Sequence, residues 1–156
     1  MHALLTRLVR ADMKLAVAES LTGGRLQAEI TKISGISAVF LGGITAYTLA
    51  QKVRLLGVTE SHARSVNCVS AQVAREMAKG ACRLFGADIG AATTGYTEPD
   101  PSHNVEQPLA YWAIYRAADK QFLSGQMAVG GVTRTQMQEL VAKVVFRELV
   151  NCVVAT

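Results

Sequence analysis

"LAVAESLTGGRLQAEI", residues Leu15 to Ile30, runs a short apolar segment into Ser20, Thr22 and two glycines and comes out in a stretch with helical spacing. Leu15 to Glu19 suits a buried strand, Gly23 and Gly24 break it, and Leu26, Ile30 and Ile33 recur on one face of the helix that follows. "SGIS" ends that helix by bringing in Gly35 where a left-handed residue is needed. A strand, a tight turn and a helix in succession make the unit of layered α/β proteins. The same unit poses the chemical question: Ser20 is either a helix cap or a nucleophile presented on a strand-to-helix turn. On local grounds the cap is the ordinary reading, because Ser, Thr and Gly are the common vocabulary of helix starts.

Working outward, Leu4, Leu5, Leu8 and Val9 predict a helix over 3–11 before the first strand. "AVFLGGITAYT" predicts a strand interrupted by Gly42 and Gly43, and paired glycines inside a strand signal a bulge or a close backbone approach. Leu49 to Leu56 is helical again. Ser70 is a good N-cap for a long amphipathic helix through Phe85, with Val73, Ala74, Met77, Ala81 and Leu84 facing inward and Gly86 as its stop. "ADIGAATTG" reads as a buried strand ending at Gly95. All three prolines then fall in one loop, "YTEPDPSHNVEQP". "LAYWAIYRA" and "QFLSGQMAV" predict paired strands across "ADK". Thr133 to Val150 is a closing helix with Met137, Leu140, Val141, Val144 and Leu149 along one side. The pattern predicts an α/β fold for residues 1–156, read as a single domain without repeats or linkers.

Half of the 156 residues are apolar, enough for a sizeable core, and the net charge of +4 is scattered rather than clustered. No basic block interleaved with aromatics is present, so nucleic-acid binding is unsupported, and the cationic surplus points at most to an anionic small ligand. Cys68, Cys82 and Cys152 lie too far apart for a metal pair and are odd in number, which predicts neither a disulfide framework nor a zinc site and fits a reducing cytoplasm. No metal or organic cofactor is expected. No apolar run is long enough to cross a bilayer.

Three stretches stand out together: "AESLTGG" at 18–24, "GGITAYTLAQKVRLLGV" at 42–58 and "VSAQVAREMAKGACRLFGADIGAATTG" at 69–95. In order and spacing they resemble the CinA C-terminal domain family, whose characterised members are nicotinamide mononucleotide deamidases. The family's patterns are A-E-S-C-T-G-G, G-G-x-x-A-Y-x-x-x-x-K-x-x-L-L-G-V and V-S-x-x-V-A-x-x-M-A. The chain resembles the free-standing form of the domain. The resemblance implies a three-layer α/β/α domain around a mixed sheet, a tendency to self-associate into a homo-oligomer, and a serine hydrolase acting on the carboxamide of a pyridine nucleotide.

In that reading Ser20 is the nucleophile, Lys52 the base and Tyr47 an aid to proton transfer. A serine hydroxyl needs a base to take its proton, and a lysine serves only when burial lowers its pKa. Thr22, Gly23 and Gly24 would offer backbone N–H groups to an oxyanion or phosphate. Gly43, Thr94, Gly95 and Arg134 complete the expected substrate-binding set. Glu19 is structural, since strand alternation turns it away from Ser20.

The chain departs from the family on the substrate side. Where the family continues G-I-A-G-P after the third strand, this chain has "GYTEPDP", which puts Glu98 and Asp100 in the loop. "QPLAYW" stands for K-P-V-G-T-V. "GGVTRTQMQ" stands for G-D-R-x-x-V-R, so Val132 and Gln136 occupy arginine positions and Arg134 lies between them. Leu21 replaces the cysteine after the serine. The alternative reading is therefore a catalytically weak or silent relative that binds a nucleotide or a protein partner without turnover.

Overall fold

The computed structural model describes residues 2–153. Five strands form one mixed sheet in the order β2-β1-β3-β4-β5. β1 (Leu15–Glu19) lies parallel to both β2 (Phe40–Thr45) and β3 (Ile89–Tyr96), while β4 (Leu109–Arg116) and β5 (Gln121–Ala128) add antiparallel. Side-chain alternation along the strands splits the core in two. Leu15, Val17, Ala91, Trp112 and Ile114 face one layer, made by α1 (Ala3–Arg10), α2 (Arg25–Thr31) and α6 (Arg134–Cys152). Ala16, Ala18, Ala92, Ala113 and Tyr115 face the other, made by α3 (Leu49–Leu56), α4 (Glu60–Ser65) and α5 (Ala71–Phe85). This is the three-layer α/β/α arrangement with a mixed sheet that the resemblance implies, and it agrees with the layered α/β class that the alternating pattern predicts.

The local signals have physical outcomes. Ser70 caps α5 by accepting from the Val73 N–H, and Thr133 forms a capping box with Gln136 at the start of α6. The expected bulge is present: Leu15 pairs with Phe40 but Ala16 pairs with Gly42, which leaves Leu41 as the extra residue. Gly42 adopts φ +130°, a conformation that side chains disfavour.

One expectation fails and one element is unforeseen. Leu84 is exposed, because the inner face of α5 is carried in its last turns by Ala78, Ala81 and Cys82. The short helix α4, whose start is marked by no capping side chain, is absent from the periodicity reading. Leu140 and Val144 of α6 are only partly covered, whereas Met137, Val141 and Leu149 are fully buried.

Small residues set the distance between layers. A Cβ at Gly80 of α5 would stand 2.2 Å from the Leu56 carbonyl oxygen and 2.7 Å from its Cα. Helix α3 can approach only because that position is bare, and α3 carries Lys52. Gly80→Ala must push α3 outward, at a cost of about 2 kcal/mol and a melting temperature lowered by roughly 4–8 °C. Thermal unfolding followed by circular dichroism checks this, and a melt unchanged from the wild type would show that the contact is slack.

Candidate active site

The carboxyl ends of β1, β2 and β3 open onto one cleft, the usual place for a ligand in an open parallel sheet where strand order reverses about a central strand. Its volume is about 550 Å³. Ser20 follows β1 directly, Tyr47 is the second residue after β2, and Thr94, Gly95 and Tyr96 come from the end of β3. The loop after β3 contributes Thr97 to Asp100, and Asn67 to Val69 face them from the connection before α5.

Lys52 is the largest fully buried side chain among the described residues, at 1% exposure. Its Nζ lies 2.9 Å from Ser20 Oγ, 2.9 Å from the Ala46 carbonyl oxygen and 2.8 Å from the Tyr47 carbonyl oxygen. Carbonyl oxygens only accept, so two of the three tetrahedral directions at Nζ must carry N–H. The third points at Ser20. As an ammonium, Lys52 donates to Oγ; as an amine, it directs its lone pair there and the serine hydroxyl donates to it. Burial pushes the Lys52 pKa below the ordinary lysine value of 10.5, opposed by the charge of the nearby Cys68. Among the described residues no carboxylate contacts Nζ to restore the charged form.

Ser20 is held from behind. Its N–H donates to Thr93 Oγ1 at 3.4 Å, and Thr93 Oγ1 is in turn 2.8 Å from Thr22 Oγ1, all within the buried core. Thr94 Oγ1 donates to the Cys68 carbonyl at 2.6 Å, tying β3 to the segment in which Asn67 and Cys68 both take positive φ. The paired threonines of an otherwise Gly- and Ala-rich strand were the sequence signal for this scaffold; Thr93 was not singled out by it.

Tyr47, Thr22, Gly23, Gly24 and Gly43 stand differently from expectation. Only the backbone carbonyl of Tyr47 meets Lys52, and its phenol lies on the cleft rim, accepting from Arg134 Nη2 at 3.0 Å. Thr22, Gly23 and Gly24 do not line the cleft. The Gly24, Leu26 and Gln27 N–H groups donate to the buried Glu19 carboxylate at 3.0, 3.1 and 2.8 Å, and the Gly23 N–H donates to the Ser20 carbonyl. The start of α2 is thus filled by the chain's own acid, which gives Glu19 its structural role and leaves no place there for a phosphate. The N–H of Leu21, the next donor after Ser20 and on the cleft wall, is taken by no acceptor among the described residues. Gly43 is a packing residue: a Cβ there would stand 2.4 Å from Val17 Cγ2 and 2.9 Å from Gln27.

Gly95, Thr94 and Arg134 do line the cleft. Arg134 is the first residue of α6, and its Nη1 is paired with Glu98 at 2.8 Å across the mouth. Asp100 accepts from Ser102 and contacts His103 Nδ1 at 2.7 Å; these hydrogen bonds hold its carboxyl below the usual carboxylate range. No group of three or more side chains able to hold a metal ion occurs among the described residues.

The CinA C-terminal domain family model matches residues 1–153. The chain belongs to that family. A CinA-like protein of Chlorobium limicola is 36% identical over 146 residues, covering 90% of this chain and 34% of that protein. A putative competence-damage inducible protein of Desulforamulus reducens is 40% identical over 107 residues, covering 69% of this chain and 26% of that protein. The chain therefore spans no more than 34% of the length of either curated relative. A competence/damage inducible protein of Agrobacterium tumefaciens superposes with a TM-score of 0.82 at 28% identity, over 97% of this chain and 96% of that one. A CinA superfamily protein from Klebsiella pneumoniae reaches a TM-score of 0.88 over 97% of this chain and 93% of that one, at 22% identity a likeness of fold alone. No helix among the described residues is long and apolar enough to cross a membrane.

Proposed function

We infer that this CinA-family chain is a serine amidohydrolase of the nicotinamide mononucleotide deamidase type, which converts a pyridine carboxamide to the acid and ammonia. The observation that carries the reading is the Lys52 amine, buried, 2.9 Å from Ser20 Oγ and with its other two directions spent on carbonyls. Ser20 Oγ attacks the carboxamide carbon while its proton passes to Lys52 Nζ. The oxyanion that forms is met by the Leu21 N–H, the donor next to the nucleophile. Lys52 then returns the proton to the departing nitrogen, ammonia leaves, and an acyl-enzyme remains on Ser20. Water attacks that ester carbon, loses its proton to Lys52, and the intermediate collapses with the proton back on Ser20. One water is consumed and one ammonia released. No step calls for a metal or an organic cofactor.

Tyr47 acts on the rim rather than in the proton transfer: its phenol steadies Arg134, and its carbonyl orients Lys52. The test is ammonia release from nicotinamide mononucleotide and a panel of related pyridine carboxamides. Because the base is the unprotonated amine, kcat/KM should climb with pH through the Lys52 pKa, which burial places below 10.5. A rate with no acid limb anywhere in the pH range over which the protein stays folded would remove Lys52 as the base. The second reading, a relative that binds without turnover, is favoured by Glu98 occupying Arg134. Failure to release ammonia from any amide of the panel would decide for it.

A further inference from the structure

Among the described residues, the lysine, arginine and carboxylate side chains that line the cleft are Lys52 at its buried end, and Arg134, Glu98 and Asp100 toward its mouth. The Lys52 nitrogen has all three directions committed to Ser20 and two carbonyls. Arg134 is the one guanidinium on the wall among the described residues, and both ends of its fork are taken, by Glu98 Oε2 at 2.8 Å and by the Tyr47 hydroxyl at 3.0 Å. Asp100 adds a second carboxylate to the same loop, one its hydrogen bonds keep ionised. Among the described residues, the cleft therefore offers an anionic group no cation without a hydrogen-bond partner of its own, and the acidic residues belong to the segment 96–101 that faces Arg134.

The two simplest forms of an N-glycosylated pyridine carboxamide differ in charge. Both carry a cationic ring, but the mononucleotide adds a phosphate of about −1.5 to −2 at neutral pH and the nucleoside does not. A phosphate that takes up the remaining N–H groups of Arg134 comes to lie beside the Glu98 carboxylate, which repels it. A cationic nucleoside, which lacks the phosphate, meets no such conflict with Glu98. We propose that Glu98 is the specificity-determining residue of this cleft: by occupying Arg134 it turns the site away from phosphate and toward the unphosphorylated pyridinium nucleoside carboxamide. The proposal rests on the amidohydrolase reading for the reaction but not for the charge selection.

The Arg134–Glu98 pair is about half-exposed on both sides, so its effect is moderate. At low ionic strength kcat/KM for the nucleoside carboxamide should exceed that for the mononucleotide by about tenfold, and added salt should narrow the gap. Glu98→Gln keeps the side-chain shape and removes the charge, so the ratio should move toward the mononucleotide by about tenfold, mainly through KM. A ratio unchanged by Glu98→Gln overturns the proposal. So does a wild type that prefers the mononucleotide and loses that preference in the variant, which would make Glu98 an aid to phosphate binding.

Calorimetric titration of both amides into Ser20→Ala protein, with and without Glu98→Gln, separates charge selection from chemistry. If the wild type hydrolyses neither amide but the affinity ratio moves as stated, the amidohydrolase reading fails and charge selection stands. If turnover is present and the ratio does not move, charge selection alone fails. Binding of neither amide overturns both.

Discussion

Ser20→Ala and Lys52→Met should each lower ammonia release by roughly 10³-fold or more, about 4 kcal/mol of barrier. The two losses should not add. The serine is a poor nucleophile without a base, and the base has nothing to activate without the serine, so the double variant should be little worse than either alone. Met matches the length of the lysine stem in an apolar site but offers no lone pair to Ser20. It also leaves the Ala46 and Tyr47 carbonyls without their donor, so each variant's melting curve is the control for folding. Turnover that survives either change in a folded protein would remove the mechanism. The lysine itself links stability to pH. Between its lowered pKa in the folded chain and 10.5, the unfolded chain binds the extra proton, so the wild type should gain stability as pH rises through that window. Lys52→Met should lack that gain.

Glu19→Ala should be the most damaging single change to the fold near the site. The carboxylate has no exposure and accepts from three backbone N–H groups at the start of α2. Truncation leaves those donors buried without partners and opens a void beside them, at a cost of about 3–5 kcal/mol. That corresponds to a melting temperature lower by roughly 6–20 °C. Glu19→Gln, which keeps one acceptor oxygen but loses the charge facing the helix start, should fall between. A Glu19→Ala melt within about 2 °C of the wild type would show that water or a backbone shift replaces the carboxylate. Because Ser20 is the next residue, activity should fall with stability in this series.

Elements with strong periodicity and chemical punctuation were readable from the chain alone. Leu49 to Leu56 and Ser70 to Gly86 have their caps and stops where Thr48, Gly57, Ser70 and Gly86 put them. The strand pair about residues 109–129 follows from its β-rich runs and the turn between them. Helix α4 was not readable, because its six residues hold too few apolar positions to show a period. Leu84 was misplaced because in the last turn of α5 the buried positions are Ala81 and Cys82, a distinction that spacing does not register.

At the site, local sequence determined residue types and order: a serine after a buried strand, a lysine in an amphipathic helix, an acidic loop and an arginine opening the last helix. It also determined the layered class, since periodicities of two and of 3.6 residues alternate along the chain. What only the tertiary structure decided is which groups are free. Periodicity cannot tell that Lys52 turns inward to meet Ser20, because that depends on α3 closing over Gly80. Nor can it tell that Glu19 folds back to fill the start of α2, or that Glu98 reaches Arg134 across 36 residues of chain. Hydrogen bonds are spent once, and where each donor and acceptor is spent depends on distances between segments far apart in sequence.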